Sequence, residues 1–116
     1  SSYFKGSIIA YTAETKMNLL SVSEETINTY SVVSKQVAIE MARGVKQKLQ
    51  TNYAIAVTGN AGPTLDHNSD GVGIVYIAFI SDDQEIVQKF NFGQPREKVI
   101  NKTVSKSLEI LRKEIL

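Results

Sequence analysis

Apolar residues follow two rhythms along this chain. Ser7-Ile8-Ile9-Ala10-Tyr11, Tyr53-Ala54-Ile55-Ala56-Val57 and Val72 to Ile80 are short runs with few interruptions. Runs of this length, rich in β-branched residues and flanked by Gly or Asn, predict buried strands. Glu85 to Phe92 alternates around Ile86, Phe90 and Phe92 and follows the turn Asp82-Asp83. It predicts an edge strand in a hairpin with the run before it. The second rhythm is helical. Val37, Ala38, Met41, Ala42, Val45 and Leu49 recur at steps of three and four, one face of an amphipathic helix. Ile100, Val104, Leu108, Leu111 and Ile115 do the same in the stretch from Arg96 to Leu116. Thr12, Ser23 and Ser34 can each open a helix, because a hydroxyl accepts from the free N–H groups of a first turn. The order strand, helices, three strands, helix predicts one α/β domain over residues 1–116, a three-layer αβα sandwich with a mixed sheet.

Composition narrows the function more than the fold. The chain is 42% apolar and 22% charged with only 2 Pro, an ordinary folded composition. Thirteen Lys+Arg against twelve Asp+Glu leave a net charge of +1. This lacks the concentrated basic excess of a general nucleic-acid binder but allows a small anionic ligand. The absence of Cys excludes disulfides, zinc ribbons and thiol nucleophiles. A single His, His67, excludes a multi-His metal site within one chain. No apolar run approaches the roughly 20 residues of a membrane helix, and no signal peptide is visible. The expected partner is a small molecule, with no nucleic acid, no membrane and no cofactor.

Two segments can carry chemistry. Thr58-Gly59-Asn60-Ala61-Gly62-Pro63 follows the strand Tyr53–Val57. Ligands of open α/β sheets bind beyond the carboxyl ends of strands. Two glycines with small neighbours let backbone N–H groups approach an anion. A plain Gly/Pro turn accounts for the same residues. Tyr11-Thr12-Ala13-Glu14-Thr15-Lys16 also follows a strand end. With Thr12 as cap, Lys16 falls near the first turn, where the helix dipole and partial burial disfavour an ammonium and Glu14 favours it. A solvated surface Lys is the competing reading. A third segment, Asp66-His67-Asn68-Ser69-Asp70-Gly71, matches half of a calcium loop, with Asp66, Asn68 and Asp70 as ligands. Its twelfth position is Ile77, where such a loop needs a bidentate Glu. A polar loop explains it as well.

Three blocks together resemble the C-terminal domain of the CinA family, the competence/damage-inducible proteins. Ser2-Tyr3-Phe4-Lys5-Gly6-Ser7-Ile8-Ile9-Ala10-Tyr11-Thr12 is similar to that family's Ser-x-x-Phe-x-Gly-Gly-x-x-x-Tyr-Ser strand, with Lys16 on its Lys. Leu19-Leu20-Ser21-Val22, Val32-Val33-Ser34 and Met41-Ala42-Arg43-Gly44 resemble its Leu-Gly-Val, Ala-Val-Ser and Met-Ala-x-Gly blocks. Thr58 to Pro63, with Val72-Gly73-Ile74-Val75-Tyr76-Ile77-Ala78, resembles Thr-Gly-Ile-Ala-Gly-Pro and Val-Gly-Thr-Val-Tyr-Ile-Ala. The resemblance implies a cytoplasmic bacterial amidohydrolase of pyridine-nucleotide salvage. It would convert nicotinamide mononucleotide to nicotinic acid mononucleotide and ammonia, using a serine nucleophile and a lysine base. Lys16 is the implied base and Tyr11 its neighbour in the proton network. Thr58, Gly59, Asn60, Ala61, Gly62, Pro63 and Gly73 are the implied nucleotide-binding residues. The implied nucleophile belongs to a Glu-Ser-Cys-Thr-Gly-Gly motif upstream of Ser1, so this chain alone is expected to be an inactive, N-terminally truncated domain. The alternative is a non-catalytic module that binds a nucleotide or a partner. Self-association into a homo-oligomer is expected, to cover a bare sheet edge and helix face.

Overall fold

Hydroxyl caps open the first three helices. In the computed structural model, which describes residues 5–10, 12–62 and 71–115, Thr12 accepts from the N–H of Thr15, Ser23 from Thr26 and Ser34 from Val37. These caps start α1 (Ala13–Leu20), α2 (Glu24–Tyr30) and α3 (Lys35–Leu49). The left-handed residues Ser21 and Gln50 close α1 and α3 by returning their N–H groups to last-turn carbonyls. Three strands follow, β1 (Tyr53–Gly59), β2 (Ile74–Ser81) and β3 (Glu85–Asn91), and then α4 (Arg96–Ile115).

The sheet order is β1-β2-β3, and both pairings are antiparallel. β3 forms the expected edge hairpin with β2, from Ile80↔Glu85 to Ile74↔Asn91. Central β2 has to satisfy two faces. Ala78 and Ile80 point to the layer of α1, α2 and α3, while Val75, Ile77 and Phe79 point to α4. This explains why β2 reads as a nearly unbroken apolar run rather than an alternation. Helices on both faces give the predicted αβα sandwich.

The expectations for the sheet and for α4 need correction. Among the described residues the sheet is antiparallel rather than mixed, and the expected first strand is not one. Residues 5–10 have no strand assignment, and Tyr11 lies outside the described residues. Ile8 and Ala10 pack partly buried against the α3-side core, while Ile9 is 88% exposed. The segment therefore has the two-sided rhythm of a strand without its ladder. An apolar run reports burial, and burial by side-chain packing needs no hydrogen-bonded neighbour. The second correction concerns α4. Its buried side chains are Val99 and Ile110, whereas Ile100, Val104, Leu108 and Ile115 of the predicted stripe are exposed.

On the α3 face, Val37, Ala38, Met41 and Ala42 pack with Leu20 and Val22 against Ala54 and Ala56. Gly44 fixes how closely α1 approaches: a Cβ there would lie 2.0 Å from the Leu20 carbonyl oxygen. On the α4 face, fully burying a side chain the size of Phe79 or Ile77 stabilises by about 1.5–3 kcal/mol. The topology also fixes where a site can lie. β1 and β3 both run opposite to β2, so Gly59, Asn91 and the start of β2 at Ile74 share one end of the sheet.

Candidate functional site

α1 presents Lys16 inward. The Lys16 N–H donates to the Thr12 carbonyl, closing the first turn that the Thr12 hydroxyl caps. Lys16 and Leu20 stand four residues apart and so share a helix face. That face is turned into the molecule: Lys16 is 5% exposed and Leu20 1%. The Lys16 Nζ donates to the Ala10 carbonyl at 2.8 Å. Lys is seldom this enclosed, and the solvated-surface reading does not describe it. Its expected companion Tyr11 lies outside the described residues.

The second candidate starts inside the sheet. β1 extends through Thr58 and Gly59, which pair with Tyr76 and Val75, so both are ladder residues rather than loop. The Thr58 side chain is buried, and its hydroxyl donates to the Val32 carbonyl at 3.0 Å. Val32 lies in the α2–α3 connection, where buried hydroxyls hold the chain. The Ser34 Oγ donates to the Ser31 carbonyl and accepts from the Val37 N–H, and the Ser31 Oγ accepts from the Val33 N–H. This connection meets the carboxyl end of β1, a contact that sequence reading missed.

Beyond Gly59 the chain makes a built turn. The Asn60 N–H donates to the Ile74 carbonyl, the Asn60 carbonyl accepts from the Gly73 N–H at 2.7 Å, and the Asn60 Oδ1 accepts from the Gly62 N–H at 2.9 Å. The amides of Asn60, Gly62 and Gly73, which the sequence offers to an anion, are thus engaged in holding the turn. Gly59 and Gly73 permit it sterically. A Cβ on Gly59 would sit 2.8 Å from Val75 Cγ2, and one on Gly73 (φ +90°) would sit 2.3 Å from the Gly93 carbonyl oxygen.

That last approach brings in a third strand end. The Phe92 N–H donates to the Gly73 carbonyl at 2.9 Å, and the Gly93 N–H donates to the Asn91 Oδ1 at 3.0 Å. After the cis Gln94–Pro95 bond, Arg96 opens α4, and its Nη1 donates to the Gly62 carbonyl at 3.0 Å. Thr58, Gly59, Asn60, Ala61, Gly62 and Gly73 therefore belong to one junction, which also contains Arg96 and the β3–α4 turn. Pro63 lies outside the described residues, as do Asp66, Asn68 and Asp70 of the calcium reading. Among the described residues no three His, Cys, Asp or Glu side chains gather as a metal site, and no helix is long and apolar enough to cross a membrane.

Sequence reading treated Gly93 to Pro95 as a simple break. The available signal was topological: a strand-to-helix turn on a strand that runs in the same direction as β1 emerges at the same end of the sheet as the end of β1.

A family model described as "CinA C-terminal domain" matches residues 1–115. The chain is 53% identical over 116 residues to a CinA-like protein of Flavobacterium psychrophilum, and covers all of itself and 28% of that relative. It is 40% identical over 116 residues to a CinA-like protein of Endomicrobium trichonymphae, covering 27% of it. It thus spans under a third of the length of either relative. A crystal structure of a CinA superfamily protein from Escherichia coli superposes with a TM-score of 0.88 at 31% identity, over 91% of this chain and 62% of that one. The competence/damage-inducible protein of Agrobacterium tumefaciens gives 0.83 at 33% identity, over 89% and 64%.

Proposed function

The chain belongs to the CinA C-terminal domain family, and from that premise we propose that it is the lysine-bearing, substrate-binding part of a nicotinamide-nucleotide amidohydrolase. The observation that carries this reading is Lys16, enclosed at 5% exposure with its Nζ on a backbone carbonyl. Burial disfavours an ammonium, and a neutral amine is the form that takes a proton from a hydroxyl. In this reading a serine hydroxyl attacks the carboxamide carbon of nicotinamide mononucleotide and its proton passes to Lys16. Ammonia then leaves with that proton, and water releases the acid from the ester. In this reading the serine is that of the family motif Glu-Ser-Cys-Thr-Gly-Gly, which these 116 residues do not contain. Tyr11 serves the same proton network, and the junction of Thr58 to Pro63 with Gly73 holds the nucleotide.

The reading includes a cytoplasmic location and association with a second copy. The support for association is the apolar stripe Ile100, Val104, Leu108 and Ile115, which α4 leaves exposed.

The test is ammonia release from nicotinamide mononucleotide by the complete protein. Lys16→Ala is expected to lower turnover by about 10²- to 10⁴-fold, the usual contribution of a positioned base. Undiminished turnover removes Lys16 from the chemistry. Calorimetric binding of nicotinamide mononucleotide without ammonia release would make the domain a binding module instead.

A further inference from the structure

We propose that Glu40 is a positioning residue for Lys16: from α3 it fixes the corner between α1 and α2 on which the lysine is mounted, and so sets turnover. The inference rests on the reading above that Lys16 takes the proton. It starts from an incomplete helix cap. The Ser23 hydroxyl accepts from the Thr26 N–H at 3.4 Å, which is half of a capping box. The other half needs a Glu or Gln in place of Thr26, reaching back to the Ser23 N–H. Glu40 supplies that half from another helix. Its Oε1 accepts from the Ser23 N–H at 2.8 Å, and its Oε2 accepts from the Thr26 hydroxyl at 2.6 Å. A carboxylate on α2 would have closed the cap locally. Taken from α3, it closes the cap and also ties the corner to that helix. Bonds to an ionised acceptor are of the stronger kind.

The corner leads directly to the lysine. Val22 precedes Ser23, and its N–H donates to the Lys16 carbonyl at 3.1 Å. Ser21, left-handed at φ +59°, turns Val22 back onto α1. Lys16 is thus held at both main-chain ends, by Thr12 and Val22, and by its Nζ on the Ala10 carbonyl. A helix of 8 residues is marginal alone and takes its place from what it packs against. α3 meets the corner through Gly44 and Glu40, which stand four residues apart on one face. The two act differently. Gly44 lets the Leu20 carbonyl come close, whereas Glu40 draws the corner in by hydrogen bonds. Leu20, Val22 and Ile27 pack in the α3-side core and do not depend on the carboxylate. Removing it therefore leaves the fold standing and frees the mount of the lysine.

The experiment uses the complete protein with Glu40→Gln and Glu40→Ala. It reads ammonia release from nicotinamide mononucleotide and, separately, acylation of Lys16 by an amine-reactive reagent, mapped by peptide mass spectrometry. Glu40→Ala is expected to lower kcat about 10-fold with KM nearly unchanged, because misplacing a reacting group costs rate rather than binding. Glu40→Gln keeps a carbonyl for the Ser23 N–H and is expected to stay near the parent. Lys16 is 5% exposed in the parent. In Glu40→Ala its labelling is expected to rise about 10-fold relative to exposed Lys48 of α3, as a local opening loses two opposing hydrogen bonds. Glu85→Gln weakens the neighbouring pair with Arg43 and leaves the corner alone, so both readouts are expected to hold. Unchanged kcat or labelling in Glu40→Ala, a loss carried by KM, a Gln variant as poor as Ala, or an equal loss in Glu85→Gln would overturn the proposal. If the parent releases no ammonia, or Lys16→Ala turns over undiminished, the amidohydrolase reading fails by itself. Labelling then decides alone whether Glu40 holds Lys16.

Discussion

The two faces of the sheet are covered in different ways. On the α3 face, small side chains meet small side chains. Ala38 and Ala42 lie over Ala54, Ala56 and Ala78, and Gly44 lets the end of α1 come within touching distance of α3. The rim of this face is tied by ion pairs from α3 to the β2–β3 hairpin, Arg43 to Glu85 and Lys46 to Asp82. On the α4 face, large side chains fill the gap, with Phe79 and Ile77 against Val99 and Ile110. There the ion pair described, Lys106 to Glu109, lies within the helix, and the Lys106 Nζ also stands 5.6 Å from the centroid of the Phe90 ring of β3. Among the described residues, the Ser107 Oγ of α4 is buried without a hydrogen-bond partner. One layer is thus knit to the sheet at core and rim. The other is held by a few large contacts and by its first residue, Arg96. The first face carries the buried lysine, and the second carries Arg96 at its edge.

The contrast predicts unequal costs. Leu20→Ala is expected to destabilise by about 3–5 kcal/mol, the upper part of the range for buried leucines, because Gly44 and α3 leave the cavity little room to collapse. Ile110→Ala is expected to cost about 2–3 kcal/mol, since a looser helix can settle into the space. Urea midpoints at unchanged slope measure both. Equal costs would erase the distinction between the faces. A smaller effect has the opposite sign. Ser107→Ala is expected to raise stability by about 1 kcal/mol, because it removes an unpaired buried hydroxyl and improves helix propensity. A loss instead would mean that this hydroxyl does find a partner.

The smallest effect concerns the rim. The hydrogen bond from Arg43 is the main reason the Glu85 carboxyl is held below its ordinary value, with desolvation opposing it. A depressed carboxylate stabilises the fold fully above its unfolded value of 4.5, and that contribution disappears as pH falls through the lower folded value. Both partners are well exposed, 56% for Arg43 and 40% for Glu85, so solvent screening holds the contribution below about 1 kcal/mol. Glu85→Gln is expected to reduce by that amount the stability lost on acidification from about pH 6 to pH 3, seen in paired denaturation curves. An unchanged difference would remove this pair from the rim.

The elements that local chemistry determines were legible in the sequence. Thr12, Ser23 and Ser34 cap their helices because a hydroxyl and an N–H three residues on need nothing else. The β2–β3 hairpin follows from a turn between apolar segments. Legibility ended where tertiary packing chose between equal options. The α4 sequence has apolar residues around much of its circumference, and periodicity alone could not select Val99 and Ile110 over Ile100 and Leu108. Residues 7–10 had a strand's composition, but only Ile8 and Ala10 pack inward, partly buried and without a ladder partner. In the site, the Thr58–Pro63 segment and Gly73 were visible as motifs, whereas the engagement of their amides is a property of the folded turn. Arg96 carried no local mark at all. Its contact with Gly62 depends on β1 and β3 ending at the same end of the sheet, on either side of β2.

That coincidence of strand ends has a consequence for how binding competence arises. The turn at Asn60 is completed by Gly73, Gly73 by Phe92 and Gly93, and Gly62 by Arg96. Each partner lies further along the chain, so the helices α1 to α3 can form from nearby contacts while the junction waits for long-range ones. A partly folded chain therefore lacks the junction that we propose as the nucleotide's receptor. A ligand held at that junction would bind the finished state alone, and by mass action each tenfold excess over its Kd would add about 1.4 kcal/mol to the stability of that state. The site thereby reports on completion of the fold.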